Sequence, residues 1–159
     1  MSFSLADRQG NPVPDGTEIN FVAESGVMIP PTCVVTGGKS RCVSTFRSSG
    51  TRPVSGRVSI LAYVPGEEDF VDLDFNNQHN ANEPFTDMGN AFRDDNESGD
   101  FTPGEFSVPR TGAATCSCGE NGRLNTCDGV WGANEVRKQH ILVFFFFVFN
   151  IQVLSAALG

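Results

Sequence analysis

Side-chain oxygens recur at alternate positions between residues 94 and 105, and this spacing limits the possible folds more than any other feature. The stretch reads DDNESGDFTPGE, with oxygen-bearing side chains at positions 1, 3, 5, 9 and 12 and a glycine at position 6. Alternate residues of a tightly turned loop can point inward together, and Gly99 permits the positive φ that such a turn needs. We therefore expect a closed loop whose oxygens converge.

This pattern is that of the twelve-residue EF-hand calcium loop. Calcium binds about six to eight oxygens at about 2.3–2.6 Å. Position 7 of such a loop contributes its backbone carbonyl, so Asp100 need not use its side chain, and Glu105 can close the site with both carboxylate oxygens. No long amphipathic pattern flanks the loop, so we expect no helix–loop–helix. The predicted ligand residues are Asp94, Asn96, Ser98, Asp100 and Glu105.

A weaker copy of the pattern begins 22 residues earlier. Its predicted ligand residues are Asp72, Asp74, Asn76, Gln78 and Glu83. Asn77 stands in place of the glycine, and Asn is the residue that next best tolerates positive φ. Phe70 and Phe92 stand at equivalent places, two residues before the first Asp of each copy, and Asp87 lies between the copies and could serve either. The tandem predicts about two Ca²⁺ ions; the alternative is a pair of Asx-rich turns that bind nothing.

The negative charge of the chain is concentrated around these two copies. Residues 66–105 hold 12 of the 19 acidic residues and one of the 11 basic residues, a net charge of −11 against −8 for the whole chain. The remainder therefore carries about +3. Disordered acidic tails are poor in aromatic residues, whereas five Phe interrupt this run. The acidic balance also argues against a nucleic-acid partner, whose phosphates need Lys and Arg.

The rest of the chain predicts an all-β fold, an antiparallel β-sandwich with a loop-rich acidic insertion. Gly and Pro are frequent, at 17 and 9 residues, and long helical patterns are scarce. About seven short strands are expected, including residues 2–6, 17–23, 57–64 and 135–149 and two strands near Cys33 and Cys42. The length fits one domain, residues 1–159, with residues 66–109 as an insertion within it.

Five cysteines indicate an oxidising compartment. Cys33 and Cys42 flank a plausible turn and could form one disulfide, and Cys127 could pair with Cys116 or Cys118, which leaves one thiol over. Zinc bound by the last three cysteines is an alternative, but a fourth ligand is not evident; free buried thiols are another. Disulfides would place the protein outside the cytosol, either secreted or on the cell surface. No signal peptide follows Met1, so a secreted chain would be a fragment or already processed.

The sequence DRQGNPVPDGTEINF at residues 7–21 resembles the opening of bacterial immunoglobulin-like domains of the invasin/intimin type (group 1 Big domains). The sequence GRVSILA at residues 56–62 is similar to their central strand, and the acidic insertion resembles calcium-loop-like insertions in some large surface proteins of this type. The resemblance covers roughly residues 2–140. It implies an extracellular Ig-like β-sandwich, usually one of several in an adhesin or cell-envelope protein, without catalysis.

A very apolar run, ILVFFFFVF, occupies residues 141–149 and opens the C-terminal segment 141–159. The run can be a core strand that continues past the sandwich. It can instead be a strand that completes the sheet of a neighbouring subunit, since an exposed edge this apolar would aggregate alone. A membrane helix is the third interpretation, although such a span needs about 20 apolar residues.

The expected function is that of a calcium-stabilised Ig-like structural or adhesion module. Its partners would be neighbouring Ig-like domains, identical subunits, or a host or cell-surface ligand, with no nucleic acid and no membrane. A filament or pilus subunit joined through the C-terminal strand is the alternative, and a carbohydrate-binding module is a lesser one. No enzyme is expected, because the chain lacks a G-x-S-x-G elbow, an H-E-x-x-H helix and a phosphate-binding Gly loop.

Overall fold

The computed structural model describes residues 1–109 and 127–144, and within these residues the chain is all-β, with ten strands and no helix. The strands are β1 (Ser2–Ser4), β2 (Glu18–Ala23), β3 (Val27–Ile29), β4 (Thr32–Val34), β5 (Arg41–Val43), β6 (Thr45–Arg47), β7 (Arg57–Glu67), β8 (Ala91–Phe92), β9 (Ser107–Val108) and β10 (Ala133–Val143). All their pairings are antiparallel. This part of the chain has no helix that could cross a membrane.

The largest sheet has four strands in the order β10-β7-β2-β4. Strand β7 lies at its centre and pairs with β10 over eleven residues, from Glu67 opposite Ala133 to Arg57 opposite Val143. On its other side β7 pairs with β2, where Phe21 lies opposite Ala62. A central strand contacts other parts of the protein on both faces, which explains why the sequence of β7 is apolar without alternation.

Two short ribbons, β1–β5 and β3–β6, form a second layer against this sheet. The core between the layers contains Ile19, Phe21, Met28, Cys42, Val58, Ile60 and Ala62. These residues come from β2 and β7 on one side and from β3 and β5 on the other. Burial of a large apolar side chain contributes roughly 1.5–3 kcal/mol, so this shared core holds the layers together. The arrangement is consistent with the predicted β-sandwich.

A disulfide joins Cys33 in β4 to Cys42 in β5, with 6.0 Å between the two Cα atoms. It is the first cysteine pair that the sequence suggested, and it connects the two layers covalently. Cys127 is buried, whereas Cys116 and Cys118, its possible partners, lie outside the described residues.

The acidic insertion covers the outer face of the four-stranded sheet. The Asp94 carbonyl accepts hydrogen bonds from Ser59 Oγ at 3.1 Å and from Gln139 Nε2 at 2.7 Å. Ser59 and Leu61 share the outer face of β7, and Leu61 is fully buried although it points away from the core between the layers. The insertion therefore serves as a third layer over β7 and β10.

Several strands differ from the sequence prediction. Strands β3, β8 and β9 were not predicted, because runs of two or three residues carry no readable periodicity. The last strand begins at Ala133 and ends at Val143, and Phe144 follows it with its ring 6.0 Å from that of Phe46. The rest of the apolar C-terminal run lies outside the described residues, so its three interpretations remain predictions.

Candidate metal centre

The first predicted loop brings three carboxylates together. One ligand oxygen from each of Asp72, Asp74 and Glu83 lies within 4.8 Å of the other two. In the described parts of the chain no other set of three or more acidic, His or Cys side chains meets this condition. A group of this size and charge could hold a cation, and three carboxylates suit calcium.

Backbone N–H groups hold the first and last carboxylates of this loop in place. Asp72 accepts from Asn76 N at 3.2 Å and from Asn77 N at 2.8 Å. Glu83 accepts from Leu73 N and from Asn80 N, both at 2.8 Å. The loop is thereby closed on itself, with position 12 bonded to positions 2 and 9.

The second loop repeats these hydrogen bonds at the same positions. Asp94 accepts from Ser98 N at 3.0 Å and from Gly99 N at 2.7 Å. Glu105 accepts from Asp95 N at 2.9 Å and from Thr102 N at 2.8 Å. Positions 1 and 12 therefore use the same backbone partners in both loops, although these two are the only ligand positions at which the loops have identical side chains.

The middle of each loop also repeats. The side-chain oxygen at position 3 accepts from the N–H of position 5, through Asp74 in the first loop and Asn96 in the second. The side-chain oxygen at position 5 accepts from the N–H of position 7, through Asn76 at 2.6 Å and Ser98 at 3.3 Å. The side chains of Gln78 and Asp100 at position 7 are exposed, as expected where the backbone carbonyl would be the ligand.

Backbone conformation confirms that the two loops are equivalent. Position 4 has positive φ in both, at Phe75 (59°) and Glu97 (56°), and position 6 does so at Asn77 (61°) and Gly99 (87°). The two ends of each loop meet in a short antiparallel pairing. Phe70 pairs with Phe85 at the first loop, and Phe92 pairs with Ser107 at the second. The loops are thus held by strand pairs, which the sequence did not predict, and no helix flanks them in the described residues, where the sequence predicted no helix–loop–helix.

The carboxylates retain capacity for an ion. A carboxylate has about four acceptor sites, and Asp72 uses two of them for the N–H groups of Asn76 and Asn77. Desolvation raises the pKa of Asp72, but hydrogen bonds from backbone N–H groups, chiefly those of Asn77 and Asn76, outweigh it and leave the pKa below its ordinary value. The group is therefore ionised at neutral pH, as a calcium ligand must be.

The two loops differ in the charge that they offer. The first contributes Asp72, Asp74 and Glu83, whereas the predicted set of the second has neutral oxygens at Asn96 and Ser98 between Asp94 and Glu105. In each loop positions 3 and 9 are in contact: Asn80 Nδ2 donates to Asp74 at 2.8 Å and Asn96 Nδ2 donates to Thr102 Oγ1 at 2.9 Å. With position 7 left out, because its backbone carbonyl would be the ligand, the first loop offers three ligand carboxylates and the second offers two. The second loop as a whole, which includes Asp95, Glu97 and Asp100, holds five acidic residues against three in the first.

Asp87 contacts a different part of the chain. Its Oδ2 accepts from the N–H of Gly129 at 2.6 Å, and it does not belong to the carboxylate cluster of the first loop. The structure therefore places Asp87 in the connection between the insertion and the segment before β10.

Glu68 is a buried carboxylate that the sequence analysis did not include among the site residues. It is 0% exposed, and it accepts from Met88 N at 2.8 Å, Gly132 N at 3.2 Å and Asn134 Nδ2 at 3.3 Å. Met88 lies between the two loops, so Glu68 fixes their connection to the start of β10. The sequence shows only one more acidic residue in an acidic run, which gives no signal of burial.

An aromatic cluster supports the first loop from the sandwich side. His79, at position 8, stacks on Trp131 with ring centres 4.6 Å apart, and Phe70 meets Trp131 edge-on at 5.8 Å. The Arg8 guanidinium lies 3.8 Å from the centre of the Phe70 ring. Trp131 is half-buried in these contacts, which is an unfavourable arrangement for a sugar-stacking platform.

Comparison with known proteins identifies no relative of this chain. No family model, no curated protein and no solved structure matches the chain. A function for the protein must therefore be inferred from the geometry of the two loops and from the layer on which they lie.

Proposed function

We propose that this protein is a calcium-stabilised, Ig-like β-sandwich module of a bacterial cell-surface or secreted protein, with a structural or adhesive role. The observation that carries the proposal is the repetition of one hydrogen-bond pattern, at the same twelve-residue positions, in two loops of different sequence. Asx-rich turns alone do not require position 12 to reach back to positions 2 and 9. Shared ion binding supplies a reason for that closure in both loops.

Calcium would relieve the repulsion within the insertion. Residues 66–105 carry a net charge of −11, and two Ca²⁺ ions would bring about +4 to it. A ligand at 100 times its Kd stabilises the folded state by about 2.7 kcal/mol. This is a large fraction of a typical unfolding free energy of roughly 5–15 kcal/mol, so the ion would decide whether the third layer stays ordered.

The surroundings of the loops support a location outside the cytosol. The Cys33–Cys42 disulfide is compatible with an extracellular compartment. Loops of modest affinity suit such a compartment, since extracellular calcium-binding modules have Kd values of roughly 10⁻⁴–10⁻³ M. A calcium-stiffened domain with a covalent link between its layers fits a mechanical or adhesive role better than a catalytic one.

The proposal is tested by thermal unfolding of the full chain in about 10 mM calcium, which is about 100 times a Kd of roughly 10⁻⁴ M, and in excess chelator, with ions counted by native mass spectrometry. We expect a markedly higher Tm in calcium and about two bound ions. The double variant Glu83→Gln, Glu105→Gln should lose most of the shift, whereas the exposed Glu67→Gln should keep it. An unchanged Tm in wild type would refute the proposal.

A further inference from the structure

The two loops differ at the three side chains that alternate with the first ligands, at positions 0, 2 and 4. In the second loop these are Arg93, Asp95 and Glu97. Arg93 donates to the Ala23 carbonyl at 2.9 Å and forms an ion pair with Asp95, and Glu97 forms an ion pair with Arg57 at the start of β7. This set of side chains holds the second loop against its own sandwich.

In the first loop the same three positions are apolar and face solvent. They are Val71, Leu73 and Phe75, which are 55%, 59% and 87% exposed. Apolar side chains at alternate residues of a closed loop can form one exposed patch, and contiguous exposed apolar patches mark interaction sites. The corresponding side chains of the second loop contact a sheet. A second sheet surface would therefore suit Val71, Leu73 and Phe75, here called the loop face.

The outer surface of the second layer has matching properties. Buried Cys42 and Ser44 and half-buried Phe46 alternate with exposed residues from β5 to β6, and buried Met28 does so in β3. The exposed residues of this surface, here called the ribbon face, are Val27, Ile29, Arg41, Val43, Thr45 and Arg47. Strand pairing places Val27 opposite Arg47 and Ile29 opposite Thr45, so apolar and cationic side chains are adjacent.

The loop face and the ribbon face lie in regions of opposite charge. Arg41 and Arg47 form no ion pair with any described residue. The loop face lies among carboxylates, including Glu67 and Asp69, the second of which has a side chain that is 76% exposed. The insertion carries −11 and the rest of the chain about +3, so two copies attract each other in this orientation and repel in the loop-to-loop orientation.

We propose that the loop face of one molecule binds the ribbon face of a second copy of this chain. The contact joins two different surfaces, so it is heterologous and leaves one free face at each end, which permits rows of molecules. The inference goes beyond the proposed function; only its expected dependence on calcium rests on that proposal, because calcium would hold the loop face in shape.

Two variants of the full chain test the contact from its two sides, by sedimentation equilibrium in calcium. Phe75→Asn removes the largest apolar side chain of the loop face, and Asn suits the positive φ at this position. Arg47→Glu reverses a charge on the ribbon face. Val54→Glu is the matched control, since Val54 is a fully exposed valine outside both faces.

The wild type and the Val54→Glu control should show an average mass that rises above 17.1 kDa with concentration. Each of the other two variants should associate about 10- to 100-fold more weakly, as expected for loss of one buried aromatic side chain or one complementary charge. An equimolar mixture of Phe75→Asn and Arg47→Glu should form 1:1 dimers, because each molecule keeps one intact face.

Three results would overturn the proposal: a wild type that stays monomeric, association that neither variant weakens, or a mixture that stays monomeric. Association through the apolar C-terminal run would give the second of these. Phosphatidylserine vesicles serve as a further probe: if they bind the wild type but not Phe75→Asn, while the chain stays monomeric, the loop face contacts lipid instead. Phe75→Asn retains every proposed ligand, so failure of the calcium proposal is seen separately, as a Tm that calcium does not change.

Discussion

Phe75 has a backbone conformation that its side chain does not favour. Its φ of 59° lies in the left-handed region, where bulky residues pay a steric penalty of roughly 1–2 kcal/mol. Its ring is almost fully exposed, so little burial compensates. Glu97 has the same conformation at position 4 of the second loop but gains the ion pair with Arg57. Phe75 therefore weakens the isolated molecule.

We expect Phe75→Asn to raise the unfolding free energy by about 0.5–1 kcal/mol, since Asn tolerates positive φ and no buried contact is lost. Urea denaturation monitored by Trp131 fluorescence would measure it. The matched change at position 4 of the second loop, Glu97→Asn, gains the same backbone relief but loses the Arg57 pair, so it should raise the unfolding free energy less than Phe75→Asn does. A lower stability of Phe75→Asn would show that the ring makes contacts that its exposure conceals.

The acid dependence of stability follows from carboxylates with opposite pKa shifts. A side-chain hydrogen bond from Arg57 lowers the pKa of Glu97, and the pKa of Asp72 is also lowered. Their contribution is present above the unfolded values of about 4.3 and 3.9 and is lost as the pH falls through the lower folded values. Desolvation raises the pKa of Glu135, so its ionised form is unfavourable in the fold and this cost is relieved as the pH falls.

We expect the unfolding free energy of the calcium-free protein to fall between about pH 5 and pH 2, and to fall less in Glu97→Gln. In Glu135→Gln the stability near pH 7 should rise relative to that near pH 4. Urea titrations across this range give both slopes. If the unfolding free energy of Glu97→Gln fell as steeply with decreasing pH as that of wild type, the Arg57 pair would not contribute to stability.

At the scale of elements, the second loop is bound to β10 through one side chain. The Gln139 amide donates to the Asp94 carbonyl and accepts from the Asp94 N–H at 2.8 Å, so it pairs with Asp94 as a peptide group of a neighbouring strand would. Asp94 is the first predicted ligand of the second loop and is itself buried. The position of that ligand thus depends on a strand about 45 residues further along the chain.

We expect Gln139→Ala to destabilise the fold by about 1–3 kcal/mol, since it removes the partner of the buried Asp94 N–H and leaves the Asp94 carbonyl with only the Ser59 hydroxyl. It should also weaken the second calcium ion more than the first, which isothermal titration calorimetry would resolve. Lys138→Ala is the control, because Lys138 is the exposed neighbour on the same strand. Equal weakening of both ions would argue that Gln139 acts on the whole insertion.

Features that depend on neighbouring residues could be predicted from the sequence, whereas features that depend on distant contacts could not. The ligand spacing of Asp72–Glu83 and Asp94–Glu105 is complete within twelve residues, so the sequence indicates both loops and their closure. The position of the insertion on β7 depends on Gln139, Ser59 and Glu68, whose partners lie 35 to 80 residues away. Such contacts leave no periodic pattern, so the third layer and the burial of Glu68 could not be read from the sequence.

At the scale of the whole molecule, the insertion leaves the sandwich and returns to it at adjacent points. Glu67 and Ala133 lie opposite each other in the β7–β10 pair. The sandwich can therefore be closed by a short turn in place of residues 68–132, although Leu61 on the outer face of β7 would then lose its cover.

We expect a chain with Asn-Gly in place of residues 68–132 to keep a cooperative β fold, because that dipeptide favours the two-residue hairpin turn. It should be less stable by at least about 1.5–3 kcal/mol, the value of one exposed large apolar side chain. Its Tm should no longer respond to calcium. Circular dichroism melts with and without chelator measure both effects, and a retained calcium response would place an ion site outside the insertion.

The same pairing of β7 with β10 has a consequence for the speed of folding. The two strands must meet across the 65 residues between Glu67 and Ala133, and the entropy of such an encounter grows only with the logarithm of its length. If both twelve-residue loops were closed first, the effective length would fall to about 41 residues, which lowers the barrier by only about 0.4 kcal/mol and speeds the encounter about twofold. An ion that closes the loops in this way would slow unfolding far more than it would speed folding.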